Sequence, residues 1–452
     1  MPGMKYTLAK RIYWYLRRYP AQPVLDFLEE SQWWPRERLE GLRNSKLQAL
    51  IEHCYAHVPY YREVMDQRGL KPGDIATVAD LPKLPLLTKD LVRENRERLR
   101  ATNIPDKDTL EARSGGTTGE PVCIRRRKRD AAWHNQCYTR GLSWGGLRLG
   151  IPRILLFGGS LGQAHTAWWR QAATRLLGEK DLFLPAFELD RQNVGEYVQR
   201  MRDSSARHLI TYTSVGYIFA LMVQEAGLSL KLDAIFPTAE PMLDTWRDKI
   251  QEVFSAQVLP YYGCCEINSL GYQCGKSEGY HRSDEHAVME VQLPNGDTAF
   301  SGEGPFLVTD LDCYAMPILR YKNNDAGILT DEPCPCGRGL GRILRVDGRV
   351  NDMLVRCDGS RIGGAIGALI FRYVRGAEAF QFIQDAPGQV KVRIVPTLQY
   401  DRSLEEKKML VILHEHLGDA ASIEFEYPTH IERTPAGKAR YVINNYLTRT
   451  SG

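Results

Sequence analysis

Residues 232–263 read LDAIFPTAEPMLDTWRDKIQEVFSAQVLPYYG. Two short, β-rich apolar runs, "LDAIFPTAE" and "AQVLPYYG", flank "TWRDKIQEVFS", which has helical character. A strand, a helix and a strand in succession form a crossover unit of a parallel sheet. Working outward, "HLITYT" (208–213) and "PRILLFGG" (152–159) repeat the strand signal, and "NVGEYVQRMRDSS" (193–205) supplies another helix. This alternation predicts an α/β protein with parallel layers. Ligands of such sheets sit at the carboxyl ends of the strands, where "TAE" (238–240) and "YYGCCE" (261–266) fall.

A chain of 452 residues is too long for one ordinary core, so two or more domains are expected. Residues 36–70 read as helical, with Leu39, Leu42, Leu47, Leu50, Ile51 and Cys54 at helical spacing, and Thr88 is a candidate cap for the helix after "LPKLPLL". A second helix is expected from about 127 to 143. From 286 to 350 the strands have hairpin character: "AVMEVQL", then Pro-Asn-Gly, then "GPFLVTDL" and "ILRYKN". Gly348 to Asp352 reads as a link to a small terminal α/β domain, with "VKVRIVP" and "IEFEYP" as strands and "LEEKKMLVILHEHLG" as a helix.

Hydrophobic residues make up 43% and charged residues 25%, as in soluble globular proteins. A net charge of +4 gives no argument for a nucleic-acid partner. The run Arg125 to Arg129 reads first as a solvated face. No stretch reaches the ~18 uninterrupted apolar residues of a membrane span. The first twenty residues lack the pattern of a secretory signal and read as an amphipathic helix, packed on the protein in preference to a surface. Ten cysteines without a signal imply no disulfide framework and a cytoplasmic setting, in which clustered cysteines mean metal or chance.

"RSGGTTGEP" (113–121) joins two strand-like runs, "TLEAR" and "PVCIRR". Backbone N–H groups exposed by a glycine-rich turn, with hydroxyls beside them, make an anion site, and phosphate is its natural guest. It is no Walker loop: the nearest candidate, Gly275-Lys276-Ser277, has Leu270 where the first glycine belongs. Such a loop alone is more often a plain turn.

Four further stretches change that reading. "RSGGTTGEP" resembles the phosphate loop of the adenylate-forming superfamily, and "YYGCCE" its aromatic-Gly-x-x-Glu motif. "RYKNNDAGIL" (320–329) is similar to its Tyr-x-x-x-Asp segment, "DGRVNDM" (347–353) to its Gly-Arg-x-x-Asp hinge, and "RTPAGKARYV" (433–442) to its catalytic-lysine motif. "HVPYYREVMDQRGLKPGDIATVADLPKLPLLTKDLVREN", "TDLDCYAMPILRYKNNDAGIL" and "CPCGRGLGRILRVDGRVNDML" resemble the phenylacetate-CoA ligase branch, which includes CapK-type relatives. The resemblance implies a large multi-layer N-terminal adenylation domain over 1–347 and a small mobile α+β lid over 348–452. It also implies a homodimer as one possible assembly, and no nucleic-acid partner.

The reaction it implies activates a carboxylate with ATP to an acyl-adenylate, which an acceptor, CoA or another, then takes. By resemblance, Ser114, Thr117 and Thr118, with Gly115, Gly116 and Gly119, grip the β- and γ-phosphates. Glu266 coordinates Mg²⁺, a role suited to a hard carboxylate. Tyr262 and Gly263 lie against adenine, Glu240 and Pro241 line its pocket, Asp325 accepts the ribose hydroxyls, Arg349 reaches ribose or phosphate, and Lys438 stabilises the transition state. Tyr212, Tyr217 and Tyr261 point to an aromatic or planar acid. Three departures stand out: Glu120 where many members carry lysine, Asn351 at a hinge position often Asp, and "VRCDGSRIGGAI" (355–366) in the segment tied to thiolation. Adenylation is therefore the firmer half of the reading. Adenylyl transfer to a cofactor, acyl transfer to an amine or hydroxyl, and a non-catalytic nucleotide-binding protein are the alternatives.

Cys274, His281, Cys334 and Cys336 offer three thiolates and one imidazole, the ligand set of a closed structural Zn²⁺ site. Four buried residues without metal are the competing reading, and His286 is a substitute ligand.

Overall fold

The computed structural model describes residues 21–113, 122–157, 181–242, 244–349, 353–362, 374–396, 400–432 and 441–450. Its chain divides into two compact units, one comprising Met1–Ser114, Pro121–Asn323 and Ile328–Arg345, the other Gly115–Glu120, Asn324–Gly327 and Val346–Gly452.

The first unit begins with helices α1 (Ala21–Ser31), α2 (Arg36–His57), α3 (Pro59–Gln67) and α4 (Lys89–Glu94). The single helix read over 36–70 is two: Val58 is extended, as a residue before proline must be, and Pro59 restarts the helix. Thr88 caps α4, its hydroxyl accepting from the Leu91 N–H at 3.3 Å.

Strands β1 (Thr109–Arg113) and β2 (Cys123–Arg127) pair antiparallel on either side of the glycine-rich loop. Helix α5 (Ala131–Ser143) starts four residues later than the sequence implied, because β2 extends to Arg127. Only the end of the basic run, Lys128 and Arg129, is a solvated face. On β2 burial alternates, so Arg126 turns inward with Ile124, while Arg125 and Arg127 pair with Asp106 and Asp130 at 2.8 and 2.6 Å.

The crossover units form a parallel five-stranded sheet of β3 (Arg153–Phe157), β4 (Leu182–Pro185), β5 (His208–Tyr212), β6 (Ala234–Thr238) and β7 (Gln257–Val258), in the order β4-β3-β5-β6-β7. Helices α6 (Val194–Asp203), α7 (Thr213–Glu225) and α8 (Asp244–Phe254) lie between successive strands in the chain. β5 is buried throughout, as expected of a strand covered on both faces.

A second, eight-stranded sheet contains β8 (Tyr261–Tyr262), β9 (Gly271–Tyr272), β10 (Tyr280–Arg282), β11 (Ala287–Gln292), β12 (Thr298–Ala299), β13 (Gly302–Asp310), β14 (Tyr321–Thr330) and β15 (Arg342–Arg349), ordered β12-β11-β13-β14-β15-β10-β9-β8. The Pro-Asn-Gly turn, with Gly296 at φ +89°, joins β11 to β12, whereas β13 lies on the other side of β11. Between β10 and β11, four consecutive polar residues, Ser283 to His286, are all buried. Glu285 meets Arg140 of α5 at 2.5 Å and Ser31 of α1 at 2.8 Å, and Asp284 faces Arg282 at 3.2 Å and Arg43 of α2 at 3.6 Å. These pairs tie the N-terminal helices to the sheet, and removing one partner would leave a buried charge.

The second unit holds the β16 (Leu354–Val355) and β17 (Arg361–Ile362) hairpin, and a mixed sheet of β18 (Ala377–Ala386), β19 (Gln389–Pro396), β20 (Ser422–Glu426) and β21 (Val442–Asn444), ordered β20-β19-β18-β21. Helix α9 (Arg402–Leu417) packs Met409 and Leu413 against Phe382, Val392 and Ile394. β18, not anticipated from sequence, is the centre of this sheet. Its fully buried Gln384 accepts from the Val355 N–H at 2.6 Å and donates to the Val355 carbonyl at 2.8 Å, docking β16. Among the described residues no helix is long and apolar enough to cross a membrane.

Candidate active site and metal centre

At the carboxyl end of β6 the chain turns at Ala239, whose φ of +69° is costly for an L-residue. The turn is clamped from α7. The Thr213 hydroxyl donates to the Glu240 carbonyl at 3.0 Å, and the Ser214 N–H donates to Glu240 Oε2 at 2.7 Å. The Glu240 carboxylate therefore satisfies an orphan N–H in the first turn of α7. Pro241 follows, half-buried.

The 261–266 segment leaves β8 through Gly263, where a Cβ would sit 2.9 Å from the Ser269 backbone nitrogen, so no larger residue fits unshifted. Tyr262 is buried, its hydroxyl accepting from Asn323 Nδ2 at 2.8 Å. Glu266 is 5% exposed and is held at both ends. Tyr321 donates its phenol proton to Glu266 Oε1 at 3.0 Å, and the Arg126 guanidinium donates to the Glu266 carbonyl. Burial, reinforced by the Glu266 charge, holds the Tyr321 phenol well above its usual range, so it stays a donor. Tyr321 and Asn323, two apart on β14, thus reach the two ends of the motif. Sequence reading passed over both. It could have found Arg126 from its alternation with Ile124, whereas Tyr321 lies inside a quoted motif with no role assigned.

Asn324 takes φ +67°, and the alternation of burial breaks at Asp325, which is half-buried where a buried residue is due. Asp325 and Arg349 belong to the second unit. Ser114 to Glu120, Asn351 and Lys438 lie outside the described residues.

Of the three tyrosines read as acyl-pocket lining, Tyr212 and Tyr261 share one apolar cluster with Phe157 and Leu259. Tyr212 meets Phe157 edge-on at 4.9 Å, and Tyr261 stacks on Tyr272 at 5.8 Å. Tyr217 instead stacks on Trp246 at 4.8 Å and 7°, fastening α7 to α8.

Cys274, His281, Cys334 and Cys336 come together, with ligand atoms all within 4.8 Å of one another. Cys274 Sγ lies 3.7 Å from Cys334 Sγ, and Cys336 Sγ lies 3.2 Å from His281 Nε2. Tetrahedral Zn²⁺ with Zn–S near ~2.3 Å and Zn–N near ~2.0 Å has S···S edges of ~3.8 Å and S···N edges of ~3.5 Å, so the spacing fits. Burial, with Arg338 and Arg342 near, pulls the His281 imidazole down to about 4, leaving it neutral as a ligand must be. Burial pushes the Cys274 thiol up to about 11. Burial also opposes the Cys334 thiolate, but the Ser277 hydroxyl, at 3.0 Å, and other hydrogen bonds leave that thiol below its ordinary value.

His286 is not part of this group. Its Nδ1 hydrogen-bonds Asp312 Oδ2 at 2.8 Å and lies 3.7 Å from Asp310, making a second cluster of possible ligands. There Lys46 sits 2.7 Å from Asp312 and Arg126 3.9 Å from Asp310, so side-chain cations already supply the opposing charge.

Residues 354–445 match the family model of the CapK C-terminal domain. A phenylacetate-coenzyme A ligase of Thermus thermophilus is 28% identical over 348 residues, 74% of each chain. Another, of Aromatoleum evansii, is 25% identical over 94% of this chain and 98% of its own. Protein CapK of Staphylococcus aureus is 24% identical over 89% of each. Among solved structures, a 2-hydroxyisobutyryl-CoA ligase in complex with 2-HIB-AMP shares the fold, with TM-score 0.73, 19% identity and 94% of both chains covered. In sequence the chain is thus similar to phenylacetate-coenzyme A ligases and to CapK, and in fold to a 2-hydroxyisobutyryl-CoA ligase.

Proposed function

We propose that this protein is an AMP-forming acid ligase whose chain works as an adenylation domain over 1–347 and a mobile lid over 348–452. The observation that carries the reading is the first unit's clamped pair of strand-end segments, Glu240-Pro241 and Tyr262 to Glu266, where a ligand of an α/β sheet belongs. A carboxylate oxygen attacks the α-phosphorus of ATP. The bond to the bridging oxygen breaks, and pyrophosphate leaves. A thiol sulfur then attacks the acyl carbonyl, the C–O bond to AMP breaks, and the thiol proton is lost to water or base. The relatives named phenylacetate-coenzyme A ligase support CoA as that thiol.

The chain's tasks are positioning and charge stabilisation. Ser114, Thr117, Thr118 and the loop glycines hold the phosphates, Tyr262 faces adenine, Asp325 and Arg349 hold the ribose side, and Lys438 meets the charge that grows in the transition state. Glu266 is the residue for Mg²⁺, which neutralises phosphate oxygens when bound with the nucleotide. The four-residue Cys and His cluster holds structural Zn²⁺, and the chain acts in the cytoplasm. Carboxylate-dependent exchange of pyrophosphate into ATP tests the reading: Lys438→Ala abolishes exchange while nucleotide binding survives. No exchange with any acid of a broad carboxylate panel would refute it.

A further inference from the structure

Eight acidic residues of the described chain are buried: Asp130, Glu266, Asp284, Glu285, Glu290, Asp310, Asp312 and Glu405. Seven stand within ion-pair distance of a Lys or Arg, among them Glu285 at 2.5 Å from Arg140, Glu290 at 3.1 Å from Arg320, and Glu405 at 2.7 Å from Lys408. Glu266 is the exception. Its carboxylate receives only a neutral donor, the Tyr321 phenol on Oε1, and Oε2 has no hydrogen-bond partner among the described residues. The nearby cation, Arg126, binds the Glu266 main-chain carbonyl instead, and Asp310 lies 3.9 Å from its Nε.

A buried carboxylate without an opposing charge is expensive unless something outside the chain supplies one. A phenol suits that purpose: it fixes one oxygen without cancelling the charge on the other, whereas an Arg fork would occupy both. Tyr321 is itself fully buried, so its hydroxyl has no water to turn to. We propose that Tyr321 is a positioning residue, which aims Glu266 so that Oε2 is presented to the divalent cation that accompanies the nucleotide. This rests on the ligase reading only for the nucleotide. The missing counter-charge at Glu266 stands apart from it.

The test is direct binding of Mn²⁺ to the full chain in the presence of a non-hydrolysable ATP analogue, followed by electron paramagnetic resonance of the free ion, beside pyrophosphate exchange. Loss of an outer-shell partner costs metal affinity by ~10–100-fold. Tyr321→Phe, which keeps the ring, is expected to weaken Mn²⁺ binding at least ~10-fold in a chain that still unfolds cooperatively, with exchange restored by raising Mg²⁺. Glu266→Asp, which keeps the charge but withdraws it from the phenol, is expected to do the same. Glu266→Gln sets the floor. If Glu266→Gln lowers affinity but Tyr321→Phe and Glu266→Asp bind as tightly as wild type, the positioning role is overturned and the ligase reading survives. If Glu266→Gln itself binds Mn²⁺ normally, Glu266 is not the cation's ligand and the proposal falls. If the variants show the predicted losses while no carboxylate supports exchange, the positioning role stands and the ligase reading fails.

Discussion

Replacing Gly141 by alanine should destabilise this protein, although Gly→Ala in a helix ordinarily stabilises. Gly141 lies in α5, and an added Cβ would fall 2.7 Å from Cδ2 of Tyr272 and closer still to Cγ and Cδ1. Carbon atoms pack at ~3.5–4.0 Å, so ring or helix must move by about 1 Å or more. Tyr272 cannot give way. It is 1% exposed, stacks on Tyr261 at 5.8 Å, and meets the edges of Tyr138 and Trp144 at 6.5 and 6.4 Å. Overpacking of this kind costs ~1–3 kcal/mol. The helical gain of alanine over glycine offsets ~0.5–1 kcal/mol of it, and because the clash reaches three ring atoms the overpacking lies at the upper end, leaving a net loss of up to roughly 2.5 kcal/mol. Gly41, mid-helix in α2 with nothing within 4 Å of its added Cβ, is the control and should gain ~0.5–1 kcal/mol. Urea unfolding followed by tyrosine and tryptophan fluorescence compares the midpoints. A Gly141→Ala midpoint equal to wild type or above it would refute the packing argument. Because Tyr272 backs Tyr261, one residue before Tyr262, the same variant should also lower pyrophosphate exchange.

Two further outcomes follow from buried groups. Purified protein should contain one Zn²⁺ per chain, and Cys336→Ser should lower both metal content and the melting midpoint, by ~2–4 °C for each kcal/mol lost; a metal-free preparation that melts like the loaded one refutes the site. Burial, with Arg126 and His286 near, pulls the His134 imidazole from 6.5 down to about 3, so between those values the unfolded chain binds the extra proton and stability falls as pH drops. His134→Gln should flatten the slope of the unfolding midpoint between pH 6.5 and 4, and an equally steep variant would sink the assignment.

The parallel sheet was legible because its strands and helices carry their periods locally. "LITY" and "AIFPT" are apolar on both faces, and the amphipathic helices between them cannot pair as strands. The place of Gly263 was legible too, since the Ser269 backbone that excludes a Cβ there lies only six residues on. β18 was harder to read. Its core position is shared with Gln384, and a buried amide is tolerated there only because Val355 and Asn444, 29 and 60 residues away, satisfy it. The boundary at Arg127 failed for a related reason: the basic run looks solvated until pairing with β1 assigns Arg125, Arg126 and Arg127 their faces.

The same limit explains His286. Read alone, it is a histidine near a cysteine and a spare zinc ligand. Its place is decided by Asp312 and Lys46, the latter 240 residues earlier on α2. Ser283 to His286 shows no apolar period, so a one-dimensional reading makes it a surface turn, yet every member is buried because Ser31, Arg43 and Lys46 arrive from the N-terminal helices and Arg140 from α5. Partners that distant leave no local trace, and neither does an absent one. Glu266 looks like Glu285 in the sequence, one acid among many. Only when each buried acid is matched with its cation does Glu266 stand out, with a tyrosine where the others have arginine or lysine. The proposed cation-binding role of Glu266 therefore rests on the pairing of charges across the fold, in which this carboxylate differs from those that an arginine or lysine of the chain already neutralises.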